Sequence, residues 1–329
     1  MGEESDNQEV FDNSYQNIKL LQATRRNNVD QIQELLSRGA DVNSTNKYGW
    51  SPLMVAADEG HLHACVLLSS SGADVDLAND EGDTAVGKAA MKGHYEVVQH
   101  LIKQNTNIHK RSKSGKCPLM RAAAYGHFQT CVLLIASGAD IDLADVDGNT
   151  ALVEAANRGY YEVAQHLINK GANCNVERLE QCQKDDLLRY GSSVGDLTMC
   201  ANLVSSGAVT LNQNVADEKL PLFLSAANGH NDLCQWMIQI GADDAKCLDP
   251  LLYCYAKSGE YELCKNALDR GADPRYSGCL QIAIDLYHTD IAQLLIEHTQ
   301  AKVDWVKKLE FWSFFTLLVI YRASQKNAL

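Results

Sequence analysis

Ser51-Pro52-Leu53-Met54-Val55-Ala56-Ala57, followed by Gly60-His61, Leu67-Leu68 and Gly72-Ala73-Asp74-Val75-Asp76, is the stretch that decides how this chain is read. It opens with a helix start. Proline is tolerated at the first helical position, whose amide has no acceptor within the helix, and Ser51 before it can cap. It closes with a helix stop, because Gly72 can take the left-handed conformation that other residues adopt only at a cost. In between, Val66-Leu67-Leu68 supplies part of an apolar stripe at helical spacing. The stretch therefore predicts two short helices, which cannot enclose a core alone.

The same landmarks recur outward in both directions. Closing glycines stand at Gly39, Gly72, Gly138, Gly171, Gly207, Gly241 and Gly271, and their commonest spacing is 33 residues. Asn105 falls midway in the one double step, so a glycine has been lost there. Twelve residues before the closing position comes Gly60-His61, Gly93-His94, Gly126-His127 or Gly229-His230, with variants at Gly159-Tyr160, Gly195-Asp196 and Gly259-Glu260. Thr84 and Thr150 repeat the capping role of Ser51. Asp80-Glu81-Gly82-Asp83 and Asp145-Val146-Asp147-Gly148 carry turn chemistry, so each unit begins with a hairpin tip. A period of this size means stacking of unit on unit. Shifting the chain by 66 residues aligns His61–Leu68 with His127–Leu134 and Tyr95–Ile102 with Tyr161–Ile168, as a two-unit duplication would.

On these residues the chain resembles the ankyrin repeat family from about Asn17 to Lys302. The resemblance implies an all-α solenoid of about nine helix-turn-helix units with hairpin tips, the first lacking its hairpin and the last its closing Gly-Ala. The expected organisation is a disordered N-terminal segment over 1–16, repeats over 17–303 that become irregular after 177, and an apolar C-terminal segment over 304–329. One departure stands out. The family usually has His after Thr-Pro-Leu to bond neighbouring loops, whereas Met54, Gly87, Met120, Val153 and Phe223 stand there, which implies weaker bonding between repeats.

Composition fits a soluble intracellular chain, and a cytoplasmic location is expected: 46% hydrophobic residues is ordinary and 22% charged residues can solvate an extended surface. Met1 to Glu9 lacks the basic and apolar runs of a secretory signal. Of 11 cysteines, Cys65, Cys131, Cys200, Cys234 and Cys264 each follow by five residues the glycine of the Gly-His position, which reads as one inward-facing site on the second helix. Zinc would need its sulfurs about 2.3 Å from one centre, yet stacked helices stand roughly 8–10 Å apart. The histidines at the Gly-His position read as structural. Asp145-Val146-Asp147-Gly148 with Glu154 imitates part of a calcium loop, but Leu143 would occupy its first ligand position. With no Gly-x-Ser-x-Gly, phosphate-cradling loop or His-Glu-x-x-His, the chain is expected to be no enzyme and to need no cofactor.

By the resemblance, tips and first helices form a concave face that grips protein partners. Along that face the chemistry changes: Tyr48 and Trp50 come first, then Asp80, Glu81 and Asp83, then a basic block of Lys110, Arg111, Lys113, Lys116 and Arg121 joined by Lys88 and Lys92, then Asp145, Asp147 and Glu154. The block reads either as solvated surface or as a site for an acidic or phosphorylated segment of a partner. Tyr48, Trp50, Arg121 and Tyr125 are of the types that most often carry binding energy. Nucleic acid is not expected, because flanking acid would repel a continuous phosphate backbone. The candidate partner-binding set is thus Tyr48, Trp50, Asp80, Asp83, Lys88, Lys92, Lys113, Lys116, Arg121 and Tyr125. Reversing Lys113, Lys116 and Arg121 to Glu is expected to weaken capture with little effect on stability.

Three modification candidates follow. Asn43 lies in a pattern, Leu35 with Asp41-Val42-Asn43, that resembles those accepted by asparaginyl hydroxylases, and it is also an ordinary repeat residue. Ser112 and Ser114 sit inside the basic block, where phosphorylation would offset its charge. The tail Phe311–Tyr321 is apolar, with Lys307, Lys308 and Arg322 around it. Eleven residues of helix would cover about half of a ~30 Å hydrocarbon core, so the tail reads as a cap on the last repeat or as a contact with a partner or the membrane interface. The resulting function is a non-catalytic protein-binding scaffold, with a membrane-associated adaptor held by the tail as the alternative.

Overall fold

The computed structural model describes residues 15–173, 179–207, 209–212 and 217–300. The apolar tail and residues 1–14 of the N-terminal segment fall outside them, while Tyr15 and Gln16, expected in a disordered segment, begin a helix. The chain divides into two compact units, Met1–Gln183 and Lys184–Leu329.

In the first unit a helix over residues 15–25 (α1) is followed by α2 (Val29–Ser37), α3 (Pro52–Asp58) and α4 (Leu62–Ser70). Next come α5 (Ala85–Lys92), α6 (Tyr95–Lys103), α7 (Pro118–Ala124), α8 (Phe128–Ala136), α9 (Ala151–Asn157) and α10 (Tyr161–Asn169). The capping residues act as the sequence implies. Ser51, Thr84 and Thr150 accept from the backbone N–H of Met54, Gly87 and Val153 at 3.3, 3.3 and 3.4 Å. Helices this short are marginal alone and depend on the faces they bury. First helices α3, α5, α7 and α9 pack successively on one another, and α2, α4, α6, α8 and α10 form the second layer. Leu53, Leu68, Leu101, Leu119, Leu134, Leu152 and Leu167 fill the space between the layers, all 0–1% exposed.

The second unit holds all but the first three residues of α11 (Gln181–Val194), then α12 (Leu197–Ser205), α13 (Pro221–Ala227), α14 (Asn231–Gln239), α15 (Leu248–Ser258), α16 (Tyr261–Asp269), α17 (Cys279–Asp285) and α18 (Thr289–Gln300). Its first helices are irregular: α11 has 14 residues and α15 has 11, against 7 in α3. Among the described residues there is no strand. The lost closing glycine is replaced in kind, since Asn105 itself takes the left-handed conformation at φ 61°, as asparagine does more readily than most side chains.

The cysteine ladder is buried as expected, every member fully. Burial pushes the thiols of Cys65, Cys131, Cys200 and Cys264 up to about 12, and the neighbouring Cys254 thiol together with burial raises Cys234. Cys182 is the exposed one among the described cysteines. A brief pulse of thiol reagent read by intact mass should label Cys182 and spare the ladder until denaturant is added. Rapid native labelling of the five would refute their burial. No group of metal-ligating side chains occurs among the described residues, and no helix there is long and apolar enough to cross a membrane.

Bonding between repeats is supplied by groups other than the residue after Thr-Pro-Leu. The histidine that the family places after Thr-Pro-Leu is missing, but three other devices tie neighbours together. The Nε2–H groups of His61, His94, His127 and His230 donate to the carbonyls of Arg25, Asp58, Met91 and Ser193, at 3.2, 3.0, 2.9 and 3.0 Å. Successive tips share a backbone bond, from Asp80 to Tyr48, Lys113 to Glu81 and Val146 to Ser114, at 3.2, 2.8 and 3.2 Å. Loop side chains bridge as well: Asn43 Oδ1 accepts from Asp74 N–H at 2.8 Å, and Asp76 Oδ1 from Asn107 N–H at 2.8 Å.

The internal duplication left one defect. His100 Nε2 shares a 2.9 Å hydrogen bond with Ser69 Oγ, whereas Ile135 stands where His166 would find the equivalent hydroxyl, and His166 Nε2 is buried without a partner. Burial first, and Lys103 and Lys170 second, hold both imidazoles below their usual value. The unfolded chain then takes up the proton more readily, so this stability is present above about pH 6.5 and is lost as pH falls below it. His166→Leu should raise stability by about 1 kcal/mol at neutral pH and flatten part of the acid-side slope. Urea titrations between pH 5 and 8 read both effects, and an unchanged slope would assign the acid sensitivity elsewhere.

Candidate functional site: the tip and first-helix face

The tips owe their shape to one residue each. Asn46 Oδ1 accepts from the N–H groups of Tyr48 and Trp50, Asn79 Oδ1 from Glu81 and Asp83, and Asp145 Oδ1 from Asp147 and Asn149, at 2.8–3.1 Å. Ser112 does the same less completely, accepting from Lys116 N–H at 3.2 Å. These turns hold each tip against the first helix of the next repeat.

That contact pairs residues one repeat plus five positions apart. Lys88 Nζ lies 4.4 Å from the centroid of the Trp50 ring. Arg121 Nη2 bonds Asp83 Oδ1, and Lys116 Nζ bonds Glu154 Oε1 at 2.6 Å. Asp83 also takes Lys88 Nζ at 2.7 Å, and Arg158 Nε lies 3.6 Å from Glu154 Oε2. The side chains of Asp83, Lys88 and Arg121 are only 6, 11 and 13% exposed. They form a buried ionic triad between repeats. Its members brace the face; they do not present free charge on it.

Two further basic residues are engaged with backbone carbonyls. Lys110 Nζ donates to the Asp76 carbonyl at 2.6 Å, and Arg111 donates to the carbonyls of Gly115 and Ala144 at 3.0 and 2.5 Å. Lys92 and Lys113 are exposed and have no ion-pair partner among the described residues. The charge-reversal expectation therefore needs correction. Glutamate at 121 would face the buried carboxylate of Asp83, and glutamate at 116 would face Glu154, so both would act on the fold as well as the surface. Lys113 alone of the three suits that experiment.

The aromatic residues divide likewise. Tyr48 and Tyr125 are 58 and 47% exposed, while Trp50 is half-buried under Lys88. Tyr125 stacks on His127 with centroids 6.4 Å apart, and the Arg158 guanidinium carbon stands 5.2 Å from the Tyr125 ring centroid. Asp80 is exposed at its tip. Ser114 is exposed and Ser112 half-buried, their hydroxyl oxygens 2.9 Å apart. Asn43 is half-buried and already spends its amide on Gly72 and Asp74. Arg158 is the residue the sequence reading missed. The recurrence of opposite charges at one repeat plus five, as in Asp83 and Arg121 or Lys116 and Glu154, would have pointed to that neighbourhood.

A family model for ankyrin repeats (3 copies) matches residues 20–112 and 88–178. With the paired helices, tips and closing turns above, the chain belongs to the ankyrin repeat proteins, and its architecture is the all-α repeat solenoid of that family. The mitochondrial disaggregases of Bos taurus and Homo sapiens are each 50% identical to it over 44 residues. That stretch is 13% of this chain and 6% of theirs, little more than one repeat, so it reflects shared repeat sequence. Ankyrin repeats generally mediate protein–protein interaction and typically carry no catalysis.

Proposed function

We propose that this chain is a non-catalytic scaffold that binds a protein partner on the tip and first-helix face of its first unit. The observation that carries the reading is the exposure of Tyr48 and Tyr125, 58 and 47%, on a face where Asp83, Lys88, Lys116, Arg121 and Glu154 are taken up by ion pairs that brace the repeats. A braced surface loses little conformational entropy when a partner docks, and exposed tyrosine supplies contact area with few torsions to fix. Tyr48, Tyr125, Lys92, Lys113 and Asp80 reach the partner in this reading. Trp50, Asp83, Lys88, Lys116 and Arg121 support them from behind. An acidic partner segment suits the exposed lysines.

Site-specific photocrosslinking tests it. A benzophenone side chain at position 48 or 125 should give a discrete adduct in cells, and one at Val66 or Glu96 on the second helices should not. Adducts arising equally from the second helices, or from them alone, would place the interaction elsewhere and overturn the reading.

A further inference from the structure

Two carboxylates on this face each stand between two cations: Asp83 between Lys88 and Arg121, Glu154 between Lys116 and Arg158. Each group of three therefore carries one uncompensated positive charge, in a chain whose net charge is -13. In the first the surplus is enclosed, with Lys88 against the Trp50 ring and Arg121 Nη1 3.6 Å from Met91 Sδ. In the second it is open, because the Arg158 side chain is 45% exposed.

Arg158 is also held in place. Its Nε faces Glu154 Oε2 at 3.6 Å, and Lys116 anchors that carboxylate at 2.6 Å. The guanidinium sits over Tyr125, which is itself stacked on His127. Neither terminal nitrogen of Arg158 has a bonded partner among the described residues. A planar guanidinium steadied on one edge and one face, with its outer N–H groups unspent, is arranged to take a carboxylate through two parallel hydrogen bonds. A single surplus charge matches a carboxylate better than a doubly charged phosphate. Lys92 holds the same repeat position as Tyr125 one repeat earlier and adds exposed positive charge on that side.

We propose that Arg158, steadied by Glu154 and Tyr125, is a binding site for a carboxylate side chain in an acidic segment of the protein partner. The inference rests on the reading of this face as a protein-binding surface. An end-capped hexaglutamate peptide, titrated into the full chain, serves as the probe, with the Arg158 Nε–Hε resonance as the readout. The resonance should shift saturably, and the response should weaken as salt is added. Arg158→Gln should weaken binding at least fivefold, with an unchanged unfolding midpoint showing that the variant is folded, and Arg158→Lys should fall between. Lys103→Gln removes the same charge on a second helix and should leave binding unaltered.

Absence of a saturable shift would overturn the site, as would equal weakening by Arg158→Gln and Lys103→Gln. Binding of a phosphoserine peptide where hexaglutamate fails would overturn the choice of carboxylate. Photocrosslinks at 48 and 125 without a hexaglutamate response would remove this inference and leave the reading of the face standing; a response without crosslinks would do the reverse.

Discussion

Asp83→Ala should cost about 3–5 kcal/mol of stability, measured by urea unfolding at neutral pH, because it strips the shared counter-charge from two buried cations. Lys88 and Arg121 would be left 11 and 13% exposed with nothing of opposite sign in contact. The Trp50 ring would still face Lys88, but a ring quadrupole is worth only ~0.5–2 kcal/mol and offsets a minor part of the loss. Asp80→Ala, three residues away on the exposed tip, provides the comparison and should move stability by about 0.5 kcal/mol or less. If the two variants unfold within about 1 kcal/mol of each other, the triad is hydrated in solution and contributes no brace. Because the triad joins successive repeats, its loss should also loosen the tips that display Tyr48, and crosslinking from that position should decline together with stability.

Gly93→Ala is the second large effect, and its size depends on a neighbouring repeat. Gly93 has φ 76°, and a Cβ there would stand 2.5 Å from His127 Nδ1. The substitution forces a left-handed alanine at about 1–2 kcal/mol and pushes aside the imidazole whose Nε2–H bonds the Met91 carbonyl. Leaving that part-buried bond unmade adds about 1–3 kcal/mol, so a total of roughly 2–5 kcal/mol is expected. Gly72→Ala isolates the backbone component, since Gly72 has φ 90° and nothing within 4 Å of a Cβ. It should cost about 1–2 kcal/mol. Equal losses for the two variants would mean that the histidine moves freely, and the bonds between repeats attributed to it would then carry little.

The periodic signals are legible in the amino-acid sequence because they are local. A cap such as Thr84, a proline at a first helical position such as Pro118, and a closing glycine such as Gly138 each act within a few residues of backbone, so their meaning survives without knowledge of neighbours. The same holds for the ladder of Cys65 and Cys131, whose repeat phase alone puts it on the inward side of a second helix. Less is legible where one repeat meets the next. The missing histidine after Ser51-Pro52-Leu53 suggests weak bonding, yet His94 and its equivalents supply the bonds from another position. His100 and His166 look alike in sequence and differ in partners because one residue, Ser69 against Ile135, differs across the interface.

The division falls at the same place for the candidate site. Sequence alone determined that this chain is a stack of helix pairs with an inward face and a displayed face, since a periodic pattern of apolar, small and capping residues specifies which side of each short helix is buried. Which displayed charges are free was decided by tertiary structure. Lys113, Lys116 and Arg121 are equivalent in composition, but stacking carries the last two against Glu154 and Asp83 and leaves the first in water. Coulombic pairing depends on the distance and dielectric between groups that are 38 residues apart in the chain, and only the packed fold sets either quantity.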